Sequence, residues 1–137
     1  MLDQNIEPPS YAHYGDAGLD LRSTVDLEIL PGDRALVPCG FAIEIPDGYA
    51  GYVIPRSGLA IKHGISIVNA PGLIDSGYRG EIKVVLINAD KDKAFAVKRG
   101  DRIAQLMIVS YPSVQLKVVE ALSESSRGSG GFGSSGI

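Results

Sequence analysis

The chain has 137 residues, 45% hydrophobic and 21% charged, which fits one globular domain with a sizeable core. Its net charge of −3 argues against a nucleic-acid binder that works by broad phosphate neutralisation, yet leaves room for a small anion held by a few cations. No run reaches the roughly 18 apolar residues of a membrane span, no export segment opens the sequence, and the lone Cys39 precludes an intramolecular disulfide. A reduced, cytoplasmic setting without a membrane partner is the expectation.

Residues 17–23, Ala-Gly-Leu-Asp-Leu-Arg-Ser, set the carboxylate of Asp20 between two leucines. On a strand such a group either faces solvent or partners a cation, or waters around a metal. Period-two runs follow at 26–30, 35–37, 41–45 and 49–54, separated by turn chemistry at Leu30-Pro-Gly-Asp33 and Ile45-Pro-Asp-Gly48. The one helical turn expected, around 57–62, is introduced by Pro55-Arg56-Ser57-Gly58. A guanidinium, a hydroxyl and a glycine amide in succession can donate to phosphate oxygens. The plainer alternative makes Ser57 an N-cap and leaves Arg56 solvated.

After a strand at 65–68, residues 69–80 form the longest non-periodic stretch of the body. There Pro71 and Gly72 can shape a turn whose backbone reads the edge of a planar ligand. Asp75 can accept a proton or hold a water, and Tyr78 can pack on a sugar face; an ordinary hairpin loop with an Asx-turn at Asp75 would look similar. Strands are expected at 82–86, 103–109 and 114–118, with a solvated turn at 90–93. Gln105 is a polar residue in an apolar run, where a buried amide must find hydrogen bonds. About ten short strands without a βαβ rhythm imply an all-β sandwich, barrel or jelly roll, and such small sheets often close their edges by oligomerising.

His13 and His63 lie far from any cluster with metal-ligand spacing and are assigned to the surface; no Ser-His-Asp, Cys-His or zinc arrangement is evident. The body is expected to span residues 1–122 and to give way to an arm at 123–137. Eight of the ten residues 127–136 are Gly or Ser, too few apolar groups to fold alone. Arg127 and Phe132 nonetheless sit inside this arm, a pairing suited to clamping a phosphate and covering a flat ring.

Taken in order, the segments 17–23, 55–60, 69–82, 102–108 and 127–136 resemble the five motifs of the trimeric deoxyuridine triphosphate nucleotidohydrolases, the dUTPases. Each motif is weak by itself; five in register across nearly the whole chain are specific. The resemblance implies a jelly-roll-like antiparallel fold of the dUTPase β-clip type and a homotrimer with three sites built between subunits. The first, second and fourth motifs of one chain would meet the third of another, and the arm of a remaining chain would close over dUTP.

On that resemblance Asn69, with the neighbouring backbone of Gly72, Leu73 and Ile74, would bind the uracil edge. Tyr78 would pack beneath the deoxyribose and exclude a 2′-hydroxyl. Asp75 would contact the 3′-hydroxyl and act as general base on the attacking water. Ser57, Gly58 and Gln105 would bind phosphate oxygens, supported by Arg56, with Lys83 contributing to the substrate site. Asp20 would reach Mg²⁺ through waters, the ion being held mainly by the triphosphate. Arg127 would pair with the terminal phosphate and Phe132 would stack on uracil. The reaction implied is water attack at the α-phosphorus giving dUMP and pyrophosphate, which keeps uracil out of DNA and supplies dUMP for dTMP synthesis. The competing readings are a dCTP deaminase of related fold and a non-catalytic jelly-roll trimer.

Overall fold

A computed structural model describes residues 1–131 of the chain. Among them lie nine strands: β1 (Leu19–Arg22), β2 (Leu27–Ile29), β3 (Arg34–Pro38), β4 (Tyr49–Ile54), β5 (Ile65–Ile67), β6 (Gly72–Ile74), β7 (Lys83–Asn88), β8 (Phe95–Val97) and β9 (Arg102–Ser110). One short helix, α1 (Ser57–His63), follows β4. The strands form three antiparallel sheets in the orders β1-β9-β4-β6, β2-β8 and β3-β7-β5. The all-β architecture expected from the period-two patterning is therefore the observed one.

Alternation sends one set of side chains inward from every sheet. Leu21, Val53 and Leu106 from the first sheet meet Ile29 and Val97 from the second and Val37, Val84 and Leu86 from the third in one core. Each such side chain contributes about 1.5–3 kcal/mol by leaving water. The buried Asn88 ties this core to its loops, its amide donating to the carbonyls of Ile29 (2.9 Å) and Lys93 (2.8 Å). Its Oδ1 accepts the Asp90 N–H at 3.0 Å, so the buried polar group is satisfied.

Helix α1 begins one residue earlier than an N-capping Ser57 would require. Arg56 is the N-cap, without a side-chain capping bond, and Ser57 is the first helical residue. The helix stops at Gly64, whose φ of +65° lets its N–H return to the Ala60 carbonyl at 3.0 Å. A Cβ there would also stand only 2.8 Å from the Asp90 nitrogen.

Two expected strands differ from the structure. Residues 41–45 alternate as read, with Phe41 and Ile45 buried, but the backbone ahead of Pro46 joins no ladder and its recorded bond is Ile82 N–H to the Phe41 carbonyl (2.9 Å). Residues 114–118 also form no strand: Val114, Leu116 and Val118 are 72%, 94% and 97% exposed. Alternating apolar side chains make a strand only beside a partner edge, and this chain offers that segment none among the described residues. Conversely β6 and β8 were not legible as strands, being three residues each and held by their partners β4 and β2 rather than by any pattern of their own. No helix among the described residues is long and apolar enough to cross a membrane.

Candidate active site

The expected site residues fall into two groups on the chain. The first gathers where β1, β9 and the start of α1 meet. Asp20 is buried on β1, and its Cα partner across the ladder is Gln105 of β9, which in turn faces Ile54 at the end of β4. Residues directly opposite in an antiparallel pair share a face, so Asp20 and Gln105 lie side by side. Gly18 packs on the glutamine so closely that a Cβ there would come within 3.1 Å of Gln105 Cβ.

Two guanidinium groups hold the Asp20 carboxylate. Arg102 Nη1 donates to Oδ2 at 3.2 Å, and Arg56 Nε stands 3.9 Å from Oδ1. Arg56 also donates through Nη1 to the Arg102 carbonyl at 2.5 Å, which binds the N-cap of α1 to the first residue of β9. The three charged groups form one network that fixes where α1 starts, with the hydroxyl-bearing Ser57 and Gly58 exposed just beyond it. A cavity of about 330 Å³ lies beside this network, lined by Arg56, Leu59, His63, Phe95, Asp101 and Arg102 among others. His63 is exposed, as expected, and stacks at a tilt on Phe95 with 5.3 Å between ring centroids.

The second group lines a separate cleft of about 570 Å³ whose walls include Leu73, Ile74, Asp75, Tyr78, Glu81 and Lys83. It is built by β6, the loop after it and the start of β7. The Ala70–Pro71 peptide leading into β6 is cis. Asn69, exposed at the preceding turn, sends its amide towards Gly72, where a Cβ would meet Nδ2 at 3.4 Å. The turn from Asp75 to Tyr78 is closed by the Asp75 backbone carbonyl accepting Tyr78 N–H at 3.1 Å. No Asx-turn forms: among the described residues the Asp75 carboxylate takes part in no hydrogen bond or ion pair. Arg79 braces the same loop, donating to the Ser76 carbonyl (2.6 Å) and pairing with Glu44 (3.0 Å).

Tyr78 donates its hydroxyl to the Glu81 carbonyl at 3.0 Å. Its ring lies over Gly80, where a Cβ would come within 2.6 Å of Tyr78 Cζ, so glycine is needed for this packing. Lys83 is held 3.7 Å from Glu81. Glu81 and Leu36 line the cleft although the sequence reading passed over both. Glu81 was open to detection, since it precedes Lys83 by two residues and so shares its face on an extended chain; Leu36 becomes visible only through the β3–β7 pairing.

The two cavities share no lining residue: Asp75 and Tyr78 line the one, Arg56 and Arg102 the other, and Gln105 lines neither. Arg127 lies in an exposed turn, its Nε donating to the Gly130 carbonyl at 2.8 Å. Phe132 falls outside the described residues. Among the described residues no group of three or more His, Cys, Asp or Glu gathers as a metal site.

Three small antiparallel sheets around one core, with charged clefts at their margins, define an all-β domain of the jelly-roll-like class. The chain belongs to the dUTPase family, whose profile matches residues 4–136. The deoxyuridine 5′-triphosphate nucleotidohydrolase of Thermobifida fusca is 53% identical over 135 residues, covering 98% of this chain and 75% of that protein. That of Mycolicibacterium vanbaalenii is 53% identical over 140 residues, covering 98% and 91%. Among solved structures, the dUTPase of Staphylococcus bacteriophage 80alpha with dUPNHPP superposes with a TM-score of 0.93 at 32% identity, covering 100% of this chain and 96% of that one. A mutant dUTPase from phage phi11 of S. aureus, solved to show coordination of a structural Mg(II) ion, gives 0.82 at 27% identity, covering 90% and 95%.

Proposed function

We propose that this chain hydrolyses dUTP to dUMP and pyrophosphate in sites shared between copies of a homotrimer. The observation that carries the reading is the separation just described. Leu73, Ile74, Asp75, Tyr78 and Lys83 line a base-and-sugar cleft, with Asn69 and Gly72 at the head of its strand β6, while Arg56 lines the other cavity and stands with Ser57, Gly58 and Gln105 as the phosphate side. A whole site needs one chain's cleft against another chain's cluster. The exposed alternating segment 114–118 is the natural strand to lie on a neighbour's edge, because it leaves its own body apolar and unpaired.

In the completed site the Asp75 carboxylate takes a proton from water as its oxygen attacks the α-phosphorus. The bond from that phosphorus to the bridging oxygen breaks, and the electron pair leaves on pyrophosphate. No covalent intermediate is involved. Ser57, Gly58 and Gln105 donate to phosphate oxygens, while Arg127 pairs with the terminal phosphate as the arm, residues 123–137, covers the nucleotide with Phe132 over uracil. Tyr78 packs against the deoxyribose.

Mg²⁺ bound to the triphosphate supplies neutralisation of the charge that collects on the departing pyrophosphate. The residues present fit an ion carried by the substrate rather than by the protein. Asp20 Oδ1 accepts no hydrogen bond among the described residues and stands 3.9 Å from Arg56, so it can take a water of the hydration shell. A cytoplasmic setting accords with a free, buried Cys39.

The test is product analysis with dUTP and dCTP, followed by Asp75→Asn. Release of dUMP and pyrophosphate from dUTP supports the reading; formation of dUTP from dCTP would replace it with deamination, and no turnover by a folded oligomer would replace it with a binding module. Asp75→Asn is expected to lower kcat about 10²–10⁴-fold while nucleotide binding changes only a few-fold. Equal losses in both would remove the general-base role.

A further inference from the structure

We propose that Glu81 is a positioning residue for the cleft, holding Lys83 with its carboxylate and Tyr78 with its backbone carbonyl, and held in turn by the Gly40 peptide. The proposal rests on the dUTP-hydrolysis reading and gives a role to a residue of the segment 69–82 that had none. Glu81 divides its contacts. Oε1 accepts the Gly40 N–H at 3.0 Å, Oε2 stands 3.7 Å from Lys83 Nζ, and the main-chain carbonyl accepts the Tyr78 hydroxyl at 3.0 Å.

The anchor of this arrangement is rigid. Gly40 has a φ of +73°, and a Cβ there would meet Thr24 Cγ2 at 2.6 Å and Asp3 Cβ at 2.9 Å. Its carbonyl accepts the N–H groups of Leu2 (2.8 Å) and Asp3 (2.9 Å), so the N-terminal segment clamps one side of the peptide while Glu81 takes the other. Asp3 is itself paired with Arg99 at 2.7 Å. A fixed donor therefore sets the position of Oε1, and the second oxygen is left to aim an ammonium.

Lys83 needs such a partner. At 43% side-chain exposure a free lysine would sample many rotamers, whereas Glu81, at 25%, offers a charge in a set place at the cleft wall. Through its carbonyl the same residue fixes the Tyr78 hydroxyl and hence the plane of the ring, which Gly80 lets descend. One residue thus sets both the cation, through its carboxylate, and the flat surface, through its main chain, that a deoxyribose phosphate would meet, the pre-organisation that orientation-dependent catalysis requires.

The two functions separate by variant. Glu81→Gln keeps an oxygen for Gly40 N–H but removes the charge facing Lys83; Glu81→Ala removes both. Steady-state kinetics with dUTP and UTP, melting temperature, and binding of an α,β-imido analogue of dUTP are read for each, alone and with Lys83→Met. Glu81→Gln is expected to raise KM and the analogue Kd for dUTP about two- to fivefold at unchanged melting temperature, and to have no further effect once Lys83 is Met. Glu81→Ala keeps the carbonyl that holds the Tyr78 hydroxyl but frees that stretch of main chain from its Gly40 anchor, and is expected to lower discrimination of dUTP over UTP by about tenfold. Melting temperatures that fall while KM, Kd and discrimination stay at wild-type values would overturn the proposal, as would a Glu81→Gln effect that persists in full without Lys83. A wild-type protein that binds the analogue tightly but releases no pyrophosphate sinks the hydrolysis reading, and the positioning role is then upheld or overturned by the analogue Kd across the same variants.

Discussion

Asp20 and Arg102 face each other from neighbouring strands, with 3.2 Å between Oδ2 and Nη1, and the same carboxylate draws in Arg56 at the start of α1. The carboxylate is buried while the arginine side chains are 44% and 27% exposed, so the network lies between a surface pair and a fully buried one. Removing its only anion leaves two cations facing each other.

Asp20→Asn is therefore expected to lower stability by about 1–3 kcal/mol, above a surface pair and at the lower edge of a buried one. A urea titration checks this through a shifted midpoint at unchanged slope. Turnover should fall as Arg56 loosens the first turn of α1, where Ser57 and Gly58 sit. The Mg²⁺ concentration for half-maximal rate should move less than about threefold, because a contact through water is one of several on an ion carried by triphosphate. A shift well beyond about 100-fold, more than losing an outer-shell partner costs, would make Asp20 a ligand in its own right.

The legible parts of this fold were those governed by local chemistry. Alternation gave the long strands β4, β7 and β9, and glycine and proline gave the turns between them, because those signals sit in a few adjacent residues. What could not be read was pairing. The pattern at 41–45 faces the core but has no ladder, and β6 and β8 exist through β4 and β2. The candidate site divides the same way. Asp75 and Tyr78 stood out as polar islands in an apolar chain, whereas the Asp20–Arg56–Arg102 network joins residues 36 and 46 positions apart, and Glu81 acquires meaning from Gly40, 41 residues away.

Residues 114–118 carry the clearest prediction about assembly. Among the described residues regular structure ends at Ser110, twelve residues lie between it and the expected start of the arm at 123, and that intervening chain exposes Val114, Leu116, Val118 and Leu122. A partner's sheet edge would cover the alternating set. Leu116→Asp with Val118→Asp should yield folded monomers by sedimentation, with core unfolding little changed and dUTP hydrolysis lost along with assembly. A stable trimer carrying both aspartates would show that another surface holds the copies together.

The arm itself is expected to be dispensable for folding and necessary for turnover. Deleting residues 127–137 removes Arg127 and Phe132 and leaves the core and the ladders of the described residues 1–126 in place. Assembly and melting temperature should stay at wild-type values while kcat/KM falls about 10²-fold or more, the scale on which a preorganised group facing developing phosphate charge acts. Wild-type turnover by the truncated protein would leave the arm without a catalytic part.

Cys39 supplies a stability test independent of the active site. It is buried beside Glu81, and burial, with a smaller push from that carboxylate, raises its thiol from an ordinary 9.0 to about 12. The folded protein then holds this proton more tightly than the unfolded chain does. Stability from the neutral thiol is fully present below pH 9 and is lost as pH rises from 9 towards 12. Cys39→Ala should remove that part of the alkaline slope, at a cost of about 1 kcal/mol at neutral pH for the lost packing. Urea midpoints of both proteins at pH 8, 9.5 and 10.5 measure the difference, since other titrating groups are common to the two. Iodoacetamide provides the parallel check: native protein at pH 8 should resist alkylation that urea-unfolded protein undergoes readily. Rapid alkylation of the native thiol, or identical alkaline slopes with and without it, would mean that Cys39 is less enclosed than its place between β3 and the Phe41 segment indicates.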